Sequence, residues 1–250
     1  MGAIESTIGR IKQMLVDGEL RPGDKLPVEK DLAAGLGVSR NTLREAVRAL
    51  TTLKVLQTRQ GDGTYVTSLA PDLLLDGMAF VAELHGEAGE LQFLHVRRLL
   101  EPEATALAVN RLTDAELAEL RRLLRESHAL VQTPAVDHER LMANDRAFHH
   151  LITARCGNPV LAALVENASG HTVRARMWRG RVDAGADART VTEHQMIYQA
   201  IADRDSERAR MLAAAHILGV EGSVRAMTVP APDLAAGMIP RGGDIASSDE

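Results

Sequence analysis

The chain has 250 residues, enough for two domains that each bury a core, and only 2% of them are aromatic, so that core must come from Leu, Ala, Val, Ile and Met. A single cysteine, Cys156, excludes an internal disulfide and a cysteine-based zinc site, while apolar runs too short to span a bilayer and a first segment without a leader pattern point to a cytoplasmic protein. The formal charge of −5 divides unevenly, with ten Lys/Arg against eight Asp/Glu in residues 1–69 and nineteen against twenty-six beyond, a split that favours a nucleic-acid module joined to an acidic one.

Apolar residues Ile4, Ile8, Ile11 and Leu15 predict a helix over 4–16, stopped by Gly18. The Pro-Gly loop of residues 21–27 precedes a short helix at 28–35. Gly37 permits a tight turn, and Ser39 is suited to cap a helix running to about Leu53 with Leu43, Ala46, Val47 and Leu50 on its buried face. Two β-like runs, Val55–Arg59 and Thr64–Thr67, flank Gln60-Gly-Asp-Gly63, whose glycines give the freedom a hairpin needs.

Beyond the linker at residues 68–71, helical periodicity predicts helices over 72–84, 89–110, 114–131, 136–156, 159–180, 187–203 and 206–226. Breaks are expected at Gly86, Thr113, Pro134, Gly157-Asn-Pro159 and Asp183–Asp187. The predicted fold is therefore mainly α: a winged helix-turn-helix over 1–69 and an antiparallel all-α bundle of six or seven helices over 70–227. A disordered tail is expected over 228–250, where three prolines and several glycines cluster.

The order helix, helix, turn, capped basic helix, glycine-tipped hairpin points to double-stranded DNA. A recognition helix presents its N-terminal residues to base edges, here Ser39, Arg40, Asn41, Thr42 and Arg44. Arginine pairs bidentately with guanine, and hydroxyls and amides suit phosphate or adenine. Arg48 lies one turn on, Lys30 opens the preceding helix, and Gln60-Gly61 forms a small wing tip. A helical subdomain with a merely solvated basic face is the plainer alternative.

This region, LPVEKDLAAGLGVSRNTLREAVRALTTLKVLQTRQGDGTYV, resembles the DNA-binding domain of the GntR superfamily of bacterial repressors. The resemblance implies that Arg40 and Arg44 are the main base readers, with Lys30 and Gln60 adding contacts. Lys30 replaces the family's usual arginine, and Lys54 stands where a glycine commonly closes the recognition helix, so a lysine must take up that left-handed turn.

In the helical half, Asp145 and His149 are four residues apart and share a helix face. His194 and His216 sit on two later helices. One carboxylate and three imidazoles suit a divalent transition metal, Zn²⁺ or Ni²⁺, and helix bundles host such sites. Taken singly, each histidine reads as a structural or exposed residue rather than a ligand. His85, His95, His128, His138, His150 and His171 show no such pattern.

The stretches VRRLLEPEATALAV, NDRAFHHLITARCGNPVL and EHQMIYQAIADRDSERARMLAAAHI resemble the FCD ligand-binding domain of FadR-type members. That resemblance implies metal ligation by Asp145, His149, His194 and His216, and binding of an effector carboxylate by Arg97. The plainer reading of Arg97 is a salt bridge to Glu101 at i+4. The whole reads as a homodimeric, metabolite-responsive regulator on a palindromic operator. A metal-dependent enzyme acting on an organic acid and an architectural DNA-binding dimer are the rivals. No His-Glu-x-x-His helix or nucleophile elbow supports the first.

Overall fold

The computed structural model describes residues 2–228, without the side chains of Leu74, residues 76–88 and Thr228. The His85 side chain and the expected disordered tail beyond residue 228 lie outside what is described.

The N-terminal part contains α1 (Ala3–Val16), α2 (Glu29–Gly35), α3 (Arg40–Thr52) and an antiparallel hairpin of β1 (Leu56–Arg59) and β2 (Gly63–Val66). Ile11, Leu20, Leu32, Leu43, Leu50, Leu56 and Val66 form one buried cluster, which ties the three helices to the hairpin. Gly37 sits at φ +59° between α2 and α3, a left-handed turn that glycine makes cheaply. Ser39 then caps α3, its Oγ accepting from the Thr42 amide at 3.1 Å. At the other end Lys54 adopts φ 59°, the turn foreseen for it. Its amide donates to Thr51 O and that of Val55 to Leu50 O, the paired bonds of a Schellman stop.

The C-terminal part is a helix bundle of α4 (Pro71–Ala108), α5 (Asp114–Val131), α6 (His138–Thr153), α7 (Pro159–Gly170), α8 (Val173–Val182), α9 (Ala186–Ala202) and α10 (Ser206–Thr228). Thr113 and Glu116 form a reciprocal capping box that starts α5. Asn158 Oδ1 accepts from the amides of Val160 and Leu161, and Pro159 opens α7. Leu120, Leu123, Phe148, Ile152, Ile197 and Ile201 make the main core between α5, α6 and α9.

Two predicted boundaries are corrected. No break occurs at Gly86: the segments read as 72–84 and 89–110 are one 38-residue helix, α4. A lone glycine costs a helix about 1 kcal/mol and does not by itself end it. Conversely, the single helix read over 159–180 is two, α7 and α8. The Thr172 hydroxyl donates to Ser169 O at 2.9 Å, a local bond that competes with the helical ladder. The break sets Thr172, fully buried, against Arg97 of α4.

Candidate nucleic-acid interface and buried histidine centre

On the α2–α3 face, Lys30, Ser39, Arg40, Asn41, Arg44 and Arg48 are exposed, and Thr42 is half-buried. The hydroxyls of Ser39 and Thr42 lie 2.8 Å apart, so both are engaged at the helix start. Arg44 Nε donates to Glu29 Oε2 at 2.8 Å, which aims the guanidinium from α3 across to α2. Arg48 pairs with Glu45 at 2.8 Å. At the hairpin, Gln60 and Gly61 are exposed at the tip, where Gly61 has φ +74°. Sequence reading missed the wing's support. Asp62 accepts from Lys25 Nζ at 2.9 Å and from the Tyr65 hydroxyl at 2.7 Å, while the Arg59 guanidinium lies 4.2 Å from the Tyr65 ring centroid. These contacts hold a small basic finger in one shape.

In the bundle, α6 carries Asp145 and His149, α9 carries His194 and α10 carries His216, and all four are buried. Their tips meet. His194 Nε2 lies 3.1 Å from His149 Nε2 and 3.3 Å from His216 Nε2. Asp145 Oδ1 stands 3.8 Å and 3.7 Å from the Nε2 atoms of His149 and His194. Phe148 stacks on the His194 ring at 4.6 Å between centroids and walls the group off from the core.

The far sides of two rings are also fixed. His149 Nδ1 donates to Glu101 of α4, and His216 Nδ1 donates to Glu193 of α9 at 2.7 Å. With the proton on Nδ1, both Nε2 atoms present lone pairs toward His194. His194 Nε2 has at most one proton to offer them, so neutral imidazoles leave at least one of these Nε2 lone pairs without a donor. A cation among the three resolves that conflict. Ligands bonded at 2.0–2.1 Å around one tetrahedral ion stand about 3.3 Å apart, close to the nitrogen separations here. The donor set therefore fits a divalent metal.

Electrostatics favour the same state. Burial, then His149, pushes the His216 imidazole down to about 3, and burial with His216 and His149 holds His194 well below its ordinary value. Both stay neutral, as metal ligands must. Burial alone would raise Asp145, but Arg176 first, then His149 and His194, outweigh it and hold the carboxyl below its usual range. Glu101 is likewise held well below its ordinary value because Arg97 and His149 outweigh its burial.

Arg97 is completely buried. Its Nε donates to Glu101 Oε2 at 2.9 Å and its Nη1 to the Thr172 hydroxyl at 3.3 Å, while Nη2 has no partner among the described residues. The salt bridge weighed as its plainer role is thus present, and one donor is left over. A narrow cleft of about 30 Å³, room for a water or two, opens beside His194 and His216. Asp145, Arg176, Arg179, Met142 and Met177 line it, whereas Arg97 does not. The adaptable methionines are the wall residues best able to make room.

Glu193, Arg176 and Arg179 escaped the sequence reading. Glu193 adjoins His194, but only the α9–α10 packing turns it onto His216. Arg176 binds Asp145 across 31 residues of chain and Ser169 across the α7–α8 break, contacts that depend on tertiary packing. Of the remaining histidines, His138 lines the cleft but pairs with Asp187 at 2.9 Å, whereas His150 faces Glu166 at 3.3 Å, His95 meets Arg98 at 2.8 Å, His171 packs on Phe93 and His128 is exposed.

Comparison with known proteins settles the kinship. Residues 3–66 match the profile of bacterial regulatory proteins of the gntR family, and residues 92–219 match the FCD domain. The chain belongs to the gntR family and carries an FCD domain. Over 213 residues it is 30% identical to the HTH-type transcriptional regulator LutR of Bacillus subtilis, covering 83% of this chain and 94% of that one. It is 28% identical over 212 residues to the galactonate operon transcriptional repressor of Escherichia coli, covering 83% and 89%. The solved Streptococcus agalactiae GntR superposes with a TM-score of 0.62 at 28% identity, covering 88% of this chain and 99% of that one. The protein is thus a DNA-binding transcription regulator with an effector domain, and not an enzyme. Among the described residues, no helix is long and apolar enough to cross a membrane.

Proposed function

We propose that this regulator is a metal-dependent sensor of a small carboxylate and acts as a homodimeric, cytoplasmic repressor. Residues 1–69 read DNA through Arg40, Asn41, Arg44, Arg48, Lys30 and the Gln60-Gly61 wing; residues 70–227 sense and dimerise. Asp145, His149, His194 and His216 hold a divalent ion, zinc or nickel, since the donors are nitrogen and oxygen without thiolate. When bound, the ion supplies a positive centre to which ligand oxygens can attach. Arg97 offers its spare Nη2 donor to the ligand carboxylate, and Glu101 and Glu193 orient the histidines from outside. A two-fold dimer then reads the half-sites of a palindrome.

The observation that carries this reading is the convergence of three buried Nε2 atoms whose outer nitrogens are tied to carboxylates. The relative named for the galactonate operon adds support, since galactonate is a sugar acid. Metal analysis of the purified protein, followed by a thermal-shift screen of small carboxylates with and without chelator, tests it. One divalent ion per chain and carboxylate stabilisation that chelator abolishes are expected. A metal-free protein indifferent to every carboxylate refutes it.

A further inference from the structure

The cleft beside the histidines contains a cation that the proposed function leaves unused. Arg179 of α8 is only 5% exposed, yet no carboxylate lies within ion-pairing distance of it among the described residues. Its one hydrogen bond runs from Nη1 to the Thr190 hydroxyl at 3.1 Å, and its Nε has no partner. A buried guanidinium without an ion-pair partner is costly to maintain, because burial outweighs the Thr190 bond and the more distant carboxylates of Glu193, Asp183 and Asp187. The neighbouring Arg176, one helical turn back on the same face, is spent on Asp145 and Ser169.

Charge balance points the same way. Arg97, Arg176 and Arg179 are matched around the centre by the carboxylates of Glu101, Asp145 and Glu193, the last of which bonds His216 rather than Arg179. Asp187, which also lines the cleft, bonds His138 rather than Arg179. A divalent ion at the histidines leaves the centre net positive, and the spare donors of Arg97 and Arg179 lie at two separate places with no acceptor among the described residues.

We infer that the effector is a dicarboxylate, its second carboxylate seated on Arg179 and Thr190 in the cleft. The inference rests on the proposed sensing site and adds the ligand's class. The Arg179 fork satisfies the second carboxylate bidentately, while Thr190 orients the fork from its far side. Two anchors at different places also let one small ligand engage α8 together with the helices that carry the histidines.

The test is calorimetric titration of the full-length, zinc-loaded protein with dicarboxylates from malonate to adipate, including hydroxylated and sugar diacids. Each is run beside the monocarboxylate of equal chain length. The best dicarboxylate should bind at least tenfold more tightly than its monocarboxylate counterpart. In Arg179→Gln that ratio should collapse below threefold, and Arg179→Lys, which keeps the charge, should retain part of it. Equal affinity for the two classes in the wild-type protein overturns the inference while leaving carboxylate sensing intact. So does an Arg179→Gln protein that binds both classes more weakly by the same factor. If Arg179→Gln does not fold, the wild-type ratio and the lysine variant decide. Absence of all carboxylate binding instead sinks the sensing reading, and the dicarboxylate with it.

Discussion

At the scale of single residues, the two functional regions use arginine in opposite ways. Arg44 is exposed and braced by Glu29, so it is free to meet a base edge with its direction already set. Arg44→Ala should cost specific DNA binding about 1–3 kcal/mol. Fluorescence anisotropy with the selected operator and with a scrambled duplex checks this; an unchanged preference would show that α3 is not the reader. Arg97, Arg176 and Arg179 are buried and serve the effector domain. Around the histidines the supporting carboxylates matter as much as the rings they hold. Glu193→Ala removes the acceptor that fixes His216 and should weaken zinc binding by about 10- to 100-fold. Competition with a chromophoric chelator measures it, and unaltered zinc affinity would remove Glu193 from the account. Asp145 and His149 could be picked out in the sequence by residue type and i, i+4 spacing, and His194 and His216 joined them through the resemblance to the FCD domain. Glu193 and Arg179 could not, since their significance arises from contacts between helices.

At the scale of elements, the recognition helix and its stop were legible because capping chemistry is local. Ser39, Gly37 and the Gln60–Gly63 turn each announce a backbone conformation within a few residues. Lys54 shows the same logic under strain, holding φ 59° where a side chain is disfavoured. Lys54→Gly should relieve this and stabilise the protein by about 0.5–1 kcal/mol, seen as a rise of a few degrees in Tm. A fall would show that contacts of the lysine side chain outweigh the backbone cost. The bundle was less legible. Periodicity reports which face is apolar, not where a helix ends when no cap marks the place. Gly86 therefore suggested a break that α4 does not make, and the α7–α8 break at Thr172 went unseen. That second break brings the Thr172 hydroxyl to Arg97 and starts the helix that carries Arg176 and Arg179.

At the scale of the whole molecule, a DNA reader built on one apolar cluster is attached to a bundle with a charged, histidine-lined interior. The bundle has no other evident reason to bury so many ionisable groups, whose desolvation is offset only by one another. A ligand can shift DNA affinity only through its different affinity for the two states of the bundle, so the proposed sensing role requires the histidine centre and operator binding to be thermodynamically linked. The most direct test is operator affinity, by anisotropy on a palindrome selected by the protein from random DNA. It is measured across a carboxylate panel with zinc-loaded and zinc-depleted protein and with His194→Gln. The account predicts that at least one carboxylate changes operator affinity about fivefold or more with zinc present, within the usual range for allosteric coupling. Zinc removal and His194→Gln should both abolish the change. An operator affinity that stays constant across the whole panel, with or without zinc, would contradict it.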